Sequence, residues 1–232
     1  MALTKVIGNG VGTLASNVAV TSDDPTITMT DSSGTNDIVT LQSTSGALII
    51  TARDGSSNGE IIFKADTGSA VTEHMRINNI GAVTKPLQPA FHVHKNGSGN
   101  NVANLAINSD VKISWVAEQF DQNSDFDLTN DRFVAPITGK YFLQFHTRIE
   151  YFDTAATYYY FSIRTSNVEY AWIIDPDYFD SDSAYYSISF SVLAGMDAND
   201  TADIMFSQSA GTSQTDMDGR NSYTWFSGHL VC

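Results

Sequence analysis

The 26 aromatic residues are distributed very unevenly along this chain of 232 residues. Residues 1–88 contain one of them, Phe63, and residues 89–232 contain the other 25. Because aromatic side chains supply much of the area that a protein core buries, the second segment has material for a compact core and the first does not. Pro86 and Pro89 mark the junction, since proline interrupts helices and central strands alike. We therefore predict two structurally different parts.

The pattern of apolar residues predicts an all-β fold in both parts. In the first part, short alternating or apolar stretches at residues 26–30, 38–41, 47–51, 60–64 and 75–77 are separated by glycine, asparagine, aspartate and serine. These are the residues that tight turns require, and the β-branched stretches between them are typical of strands. We divide the chain into an N-terminal docking arm (1–22), a β-rich shaft (23–88) and a head (89–232).

The net charge of −14 limits the classes of partner. Nucleic-acid binding needs a cationic surface, and the chain has no basic run. No apolar stretch approaches the about 18–20 residues of a membrane-spanning helix. The N-terminus has no signal-peptide pattern, and the single cysteine, Cys232, excludes an internal disulfide. We expect no nucleic-acid partner, no membrane insertion and assembly in a cytoplasm.

The head contains a ladder of aromatic residues and glycine at fixed spacings. Its members are Trp115, Asp121, Phe126, Phe133, Pro136, Gly139, Tyr141 and Phe145. A turn over residues 136–139 is followed by an alternating strand, in which Tyr141, Leu143 and Phe145 point inward. Near the end of the chain, Gly228 lies in an apolar stretch that reads as the last strand.

This ladder resembles the signature of the complement C1q-type globular head, a jelly roll related to tumour necrosis factor. The resemblance covers residues 89–232 and implies a homotrimer that binds ligands rather than transforming them. The chain departs from the pattern at Trp115, Leu143 and His229. The first two roughly preserve core volume, and we expect His229 to face a subunit interface instead of the core.

The first part of the chain resembles the β-structured shafts of bacteriophage tail fibres, especially those of marine or cyanobacterial phages. Residues 73–83 are similar to a segment that such fibres place just before a receptor-binding head. The shaft has too few apolar side chains to close a core alone, so we expect it to be trimeric. The combined resemblance implies a virion tail fibre that attaches a phage to a glycan or protein of the host surface. The docking arm would bind another virion protein.

Two alternative functions remain open at this point. A capsid head fibre or decoration protein would have the same architecture at another place on the virion. A bacterial C1q-like adhesin would instead belong to a cell envelope. The sequence contains no nucleophile elbow, metalloprotease helix or kinase motif. We therefore predict that the protein is not an enzyme.

Two kinds of metal site are candidates. His92 and His94 lie two residues apart and so share one face of a strand. Placed on a trimer axis, three such pairs would offer six imidazoles to a transition metal; otherwise they are polar residues opposite the inward Phe91 and Val93. Calcium is the second candidate, at the acidic loop over residues 175–182 or at Asp125, Asp127 and Asp131. Simple solvation of these acids is the competing interpretation.

The same acidic loop is the candidate receptor-binding site. Aromatic side chains in loops serve as anchors and as stacking platforms for sugars. The predicted site consists of Asp175, Asp177, Tyr178, Phe179, Asp180 and Asp182. Tyr185 and Tyr186 either join this site or begin a strand and pack inside the head.

Overall fold

A computed structural model describes residues 21–31, 37–55, 59–66, 68–97 and 101–232. Most of the predicted docking arm, residues 1–22, lies outside the described residues. The chain divides into two compact units, residues 1–85 and 86–232. Both consist of antiparallel strands, so the all-β prediction is confirmed. Within the described part of the chain, no helix is long and apolar enough to cross a membrane.

The first unit contains two three-stranded antiparallel sheets. Their strands are β1 (Thr26–Asp31), β2 (Asp37–Thr44), β3 (Ala47–Arg53), β4 (Ile61–Asp66), β5 (Val71–Ile77) and β6 (Val83–Thr84). Ser45 and Gly46, between β2 and β3, both have positive φ, at 48° and 80°. Two consecutive left-handed residues form the type I′ turn that joins tight hairpins, which explains the turn residues at this position.

The strands of the first unit leave much of their apolar surface in solvent. Leu48 is 72% exposed and Val71 65%, and along β3 Ala52 is partly buried while the other residues are exposed. Other large apolar side chains with at least a third of their surface exposed are Ile27, Met29, Val39, Ile49, Ile50, Ile62, Phe63, Ile80 and Val83. The described part of this unit therefore has strands but almost no buried core of its own.

The second unit is a sandwich of two antiparallel sheets. Sheet I has the order β15-β12-β18-β7-β9, with β17 beside β12, and sheet II has the order β10-β11-β16-β13-β14, with β8 beside β16. The strands are β7 (Ala90–His94), β8 (Val111–Lys112), β9 (Ala117–Gln122), β10 (Phe126–Asp127), β11 (Arg132–Val134), β12 (Gly139–Phe152), β13 (Ala156–Thr165), β14 (Glu169–Ile174), β15 (Ser183–Met196), β16 (Thr201–Ala210), β17 (Asp216–Met217) and β18 (Trp225–Leu230). The chain crosses between the sheets after β7, β8, β9, β11, β12, β14, β15 and β16, which is a jelly-roll arrangement.

The core lies between the two sheets and is built from aromatic rings. Along β12, Tyr141, Leu143 and Phe145 are fully buried, and the residues between them are only partly so. This is the period of two that a strand with one inward face requires. From the neighbouring sheet, Phe133 stacks on Phe91 with a centroid separation of 4.7 Å. Trp115 and Phe126 are also buried, so the aromatic members of the ladder form the core.

The two ends of the head differ in where the chain enters and leaves. Leu230 N–H donates to Pro89 O, and Lys140 N–H donates to Cys232 O at 2.7 Å. The start of the head, its last residue and the first residue of β12 therefore meet at one end, the proximal end. Because β12 has 14 residues, its last residue, Phe152, lies about 45 Å away at the distal end.

Candidate functional site

The distal end of the head carries the most exposed aromatic side chains that the structure describes. Tyr178 is 89% exposed, Tyr151 60% and Tyr185 59%. They lie on the loop between β14 and β15, near the end of β12 and at the start of β15. Tyrosine combines a large apolar face with a hydroxyl and loses little side-chain entropy on binding, so exposed clusters of it mark contact surfaces.

The loop over residues 175–182 is held rigidly in spite of its exposure. Asp175 caps a 3-10 turn, Pro176–Tyr178, by accepting a hydrogen bond from the backbone N–H of Asp177 at 3.0 Å. Asp182 accepts hydrogen bonds from the N–H and the hydroxyl of Thr154, at 2.8 and 2.6 Å. The carboxylates at both ends of the loop thus fix its backbone, and Tyr178 projects from an ordered base.

Three other residues predicted for the receptor site have distinct environments. Phe179 packs inward against Phe152 and Tyr186, with centroid separations of 4.7 and 5.4 Å. Tyr186 is partly buried on the core side of β15, while its neighbour Tyr185 is exposed. Asp177 and Asp180 are exposed. The structure therefore separates the predicted set into an inward anchor, Phe179, and an outward surface around Tyr178.

A cavity of about 180 Å³ lies beside this loop, lined by Tyr151, Phe152, Asp153, Asp182, Ser183, Ala184 and Ser213. Tyr151 has φ +60°, a left-handed conformation that is unfavourable for a tyrosine. Asp153 is buried beneath the cavity. Burial alone would raise the pKa of Asp153, but the backbone N–H groups of Ser213, Thr212 and Ala155 hold it below the usual value. Asp153 thus stays ionised and connects the turn after β12 to the segment at Thr212 and Ser213.

The Tyr185 ring packs on an arginine side chain that no sequence motif had indicated. The Arg148 guanidinium lies 4.4 Å from the Tyr185 ring centroid and 4.3 Å from that of Tyr223. It also donates to Glu150 at 2.7 Å and to the buried Asp218. Arg148 and Asp218 are 70 residues apart, so only the pairing of strands brings them together. This network fixes one face of the Tyr185 ring and leaves the other in solvent.

The outer face of sheet I carries a second cluster, formed by histidines and aromatic rings. His94, Trp225 and His146 are direct cross-strand neighbours on β7, β18 and β12. Trp225 stacks between His92 and His146, with centroid separations of 5.2 and 5.6 Å. Burial lowers the pKa of all three histidines, and for His92 the neighbouring His94 lowers it further. They are therefore neutral aromatic rings at pH 7.

This outer face continues to both sides with apolar and small residues. Phe120 is 51% exposed and Leu193 55%, and His229 is exposed and packs on Phe142 at a centroid separation of 5.6 Å. Ser187, Ser189 and Ser191 line the same face of the edge strand β15. The outer face of sheet I thus combines exposed rings with small, uncharged serine side chains on β15. His229 lies outside the core.

His92 and His94, the candidate transition-metal ligands, are not both accessible on the strand surface. The rings of His92 and His94 lie 6.4 Å apart, centroid to centroid. His94 is buried, and its Nδ1 accepts the backbone N–H of Asn96 at 3.0 Å. Among the described residues, no group of three or more His, Cys, Asp or Glu side chains is arranged to hold a metal ion.

The second acidic cluster consists of residues that cap the loops around the signature. Asp127 accepts hydrogen bonds from Thr129 N–H and Asn130 N–H, both at 3.1 Å. Asp131 accepts from Trp115 N–H at 2.7 Å. Asp121 of the signature accepts from the N–H groups of residues 125 and 126, at 3.1 and 2.9 Å. The backbone therefore occupies one oxygen each of Asp127 and Asp131 and both oxygens of Asp121, whereas Asp125 Oδ2 is buried without a hydrogen-bond partner in the part of the chain that the structure describes.

Comparisons with known proteins gave no match to a protein-family model and none to a curated protein. Among solved structures, the chain is similar to the globular domain of zebrafish complement 1qA protein, with 17% identity and a TM-score of 0.44, covering 62% of this chain and 98% of that one. It is also similar to murine APRIL, with 12% identity and a TM-score of 0.44, covering 62% of this chain and 99% of that one.

Proposed function

We propose that this protein is a homotrimeric virion fibre that attaches a virus to its host surface through the distal end of the head. The N-terminal arm would join another virion protein, and residues 23–88 would form the shaft. The proposal combines the resemblance to tail-fibre shafts and C1q-type heads with the surfaces described above. The ligand would be a glycan or protein of the host surface.

The observation that carries the proposal is the position of Tyr151, Tyr178 and Tyr185. They are the most exposed aromatic side chains among the described residues, and all three lie at the distal end. The chain enters the head at the opposite end, beside Pro89. A fibre held by its N-terminus would present the end of the head that lies farthest from its attachment. The exposed rings and their hydroxyls are suited to stacking on sugars and to anchoring in protein pockets.

The composition of the outer face of sheet I is an argument for the proposed trimer. The exposed Phe120, the partly buried Trp225 and the serine-lined strand β15 form a surface that can be desolvated without burying many charged groups. The edges of the small sheets in the first unit carry exposed apolar residues that a single copy leaves uncovered. Association of three copies would bury both kinds of surface, which is the usual remedy for unpaired strand edges.

The test is to localise the protein on virions and to block attachment with it. Antibodies raised against the purified chain are applied to virions and viewed by electron microscopy, and host cells are preincubated with excess protein before infection. We expect labelled fibres and slower adsorption of the virus. Virions without label would overturn the assignment to the virion. Labelled fibres with unchanged adsorption would overturn the attachment role.

A further inference from the structure

A second pocket lies on the outer face of sheet II, away from the face proposed for the trimer. It has a volume of about 190 Å³ and is lined by Asp110, Tyr158, Tyr160, Glu169 and Ser207. Two tyrosine rings, two carboxylates and a hydroxyl surround a space about the size of a single sugar ring. No residue of this pocket belongs to the distal surface, and neither the ladder nor the acidic loop of the sequence pointed to it.

The walls of the pocket are aromatic and follow from the register of β13. Tyr158 and Tyr160 are two residues apart, so their side chains leave the same face of the strand about 7 Å apart. Tyr158 is 39% exposed, whereas Tyr160 is partly buried. Ser207 lies directly opposite Tyr160 on β16 and is small enough to leave the space between the rings open.

Glu169 is fixed at the edge of the pocket by a buried hydroxyl. The hydroxyl of Ser162, a fully buried residue, donates to Glu169 Oε1 at 2.8 Å. Burial raises the pKa of Tyr160, and the charges of Glu169 and Asp110 raise it further. The negative charges of Glu169 and Asp110 therefore both act on the Tyr160 side chain.

The cations nearest to this pocket are engaged by a third carboxylate. Arg164 donates two hydrogen bonds to Asp203, at 3.0 and 2.8 Å. Lys112 Nζ also lies 3.1 Å from Asp203. Among the described residues, neither Asp110 nor Glu169 forms an ion pair with a basic side chain. Arg164 lies opposite Glu169 across the strand pair, and the charges of Glu169 and Asp110 both act on it, but its guanidinium hydrogen-bonds to Asp203. Within the described structure, the pocket thus has two carboxylates without a paired cation beside two tyrosine rings.

We propose that this pocket binds a primary ammonium group carried on a small polar body, such as an amino sugar or a lysine side chain. Tyrosine faces attract a cation through the ring quadrupole, and a positioned carboxylate accepts its N–H donors. The negative potential of the whole chain would concentrate cationic ligands near the surface. This inference goes beyond the attachment role, because the pocket lies on another sheet face from the distal tyrosines.

The test titrates the full chain with glucosamine at pH 6.5 and follows binding by calorimetry. N-acetylglucosamine is the matched probe, since acetylation removes the charge and keeps the ring. Nα-acetyl-lysine methylamide is the second ammonium source. Binding of glucosamine alone identifies an amino-sugar site, and binding of the lysine compound alone identifies a site for a protein side chain. Binding of both shows that the pocket recognises the ammonium group whatever molecule carries it. Binding of neither overturns the proposal, and so does equal binding of N-acetylglucosamine.

Variants assign the binding to this pocket. Glu169→Gln and Asp110→Asn each remove one charge, and we expect each to weaken glucosamine binding by about tenfold at low salt. Asp197→Asn removes the same charge from the exposed loop between β15 and β16, outside both proposed binding surfaces, and serves as the control. Unchanged affinity in both pocket variants would overturn the proposal. Two pocket variants are used because a loss of folding in one, detected by circular dichroism, leaves the other to decide. If either variant still blocks virus adsorption as well as the wild-type protein does, this pocket and the attachment surface are separate.

Discussion

Gly228 and Phe91 face each other on neighbouring strands so closely that no side chain fits between them. A Cβ on Gly228 would lie 2.7 Å from Phe91 Cε1 and 2.7 Å from Leu143 Cδ2. Both neighbours are buried and closely packed. The glycine of the last strand is therefore required by the space that the core leaves it, and this is the physical reason for its place in the signature.

The first prediction concerns Gly228→Ala. The added methyl must displace Phe91 or Leu143, and overpacking of this kind lowers the free energy of unfolding by about 1–3 kcal/mol. Urea denaturation measures the change. Gly195→Ala is the control, because no atom lies within 4 Å of a Cβ added at Gly195. Equal stability of the two variants would contradict the packing argument.

The second prediction concerns the assembly of the head through sheet I. Trp225→Glu places a charge at the centre of the histidine and aromatic cluster, so burial of this face against another copy would become costly. We expect light scattering to show a trimer for the wild-type protein and smaller species for the variant. Ile173→Glu, on the exposed face of sheet II, introduces the same charge and should leave the trimer intact. Dissociation in both variants, or in neither, would argue against this interface.

The third prediction is a loss of stability under mildly acidic conditions. Burial holds the pKa values of His92, His94 and His146 below the ordinary value of 6.5. Between that value and the lower folded values, the unfolded chain binds protons that the folded chain does not. The free energy of unfolding therefore falls as the pH falls below about 6.5 and levels off below the folded pKa values.

Melting temperatures recorded from pH 7.5 to pH 5.0 measure this dependence. The His146→Gln variant lacks one of the three titrating groups, so its melting temperature should fall less over the same interval. Side-chain carboxylates remain largely ionised above pH 5 and contribute little to the slope. A variant whose melting temperature falls as steeply as that of the wild type would show that the imidazole of His146 is not the cause.

The fourth prediction separates binding from stability at the distal end. Tyr178 is 89% exposed, so Tyr178→Ala should change the free energy of unfolding by less than about 0.5 kcal/mol. If the distal surface binds the host, the variant should block virus adsorption much less effectively than the wild-type protein. Val231→Ala, which shortens an exposed side chain at the proximal end, is the matched control. The Tyr151→Ala and Tyr185→Ala variants are tested in the same way. If all three single variants block adsorption as well as the wild-type protein does, the tyrosines are excluded as the contact surface.

The sequence determined the strands and the core of the head. The alternation of Tyr141, Leu143 and Phe145 predicted which face of β12 is buried, and the structure buries all three. Local patterns suffice here because a strand with one inward face must alternate. The aromatic partition likewise showed in advance that residues 1–88 lack the material for a core, and the described strands of that unit are largely exposed.

Only the tertiary structure decided which polar residues meet. The Arg148–Tyr185–Tyr223 stack, the row of His94, Trp225 and His146, and the pocket around Tyr160 and Glu169 each join residues from different strands. Spacing along the chain carries no information about these contacts, because they depend on which strands pair and in what register. Inward apolar positions repeat within each strand and are visible in the sequence, whereas outward surfaces are assembled across strands and exist only after folding.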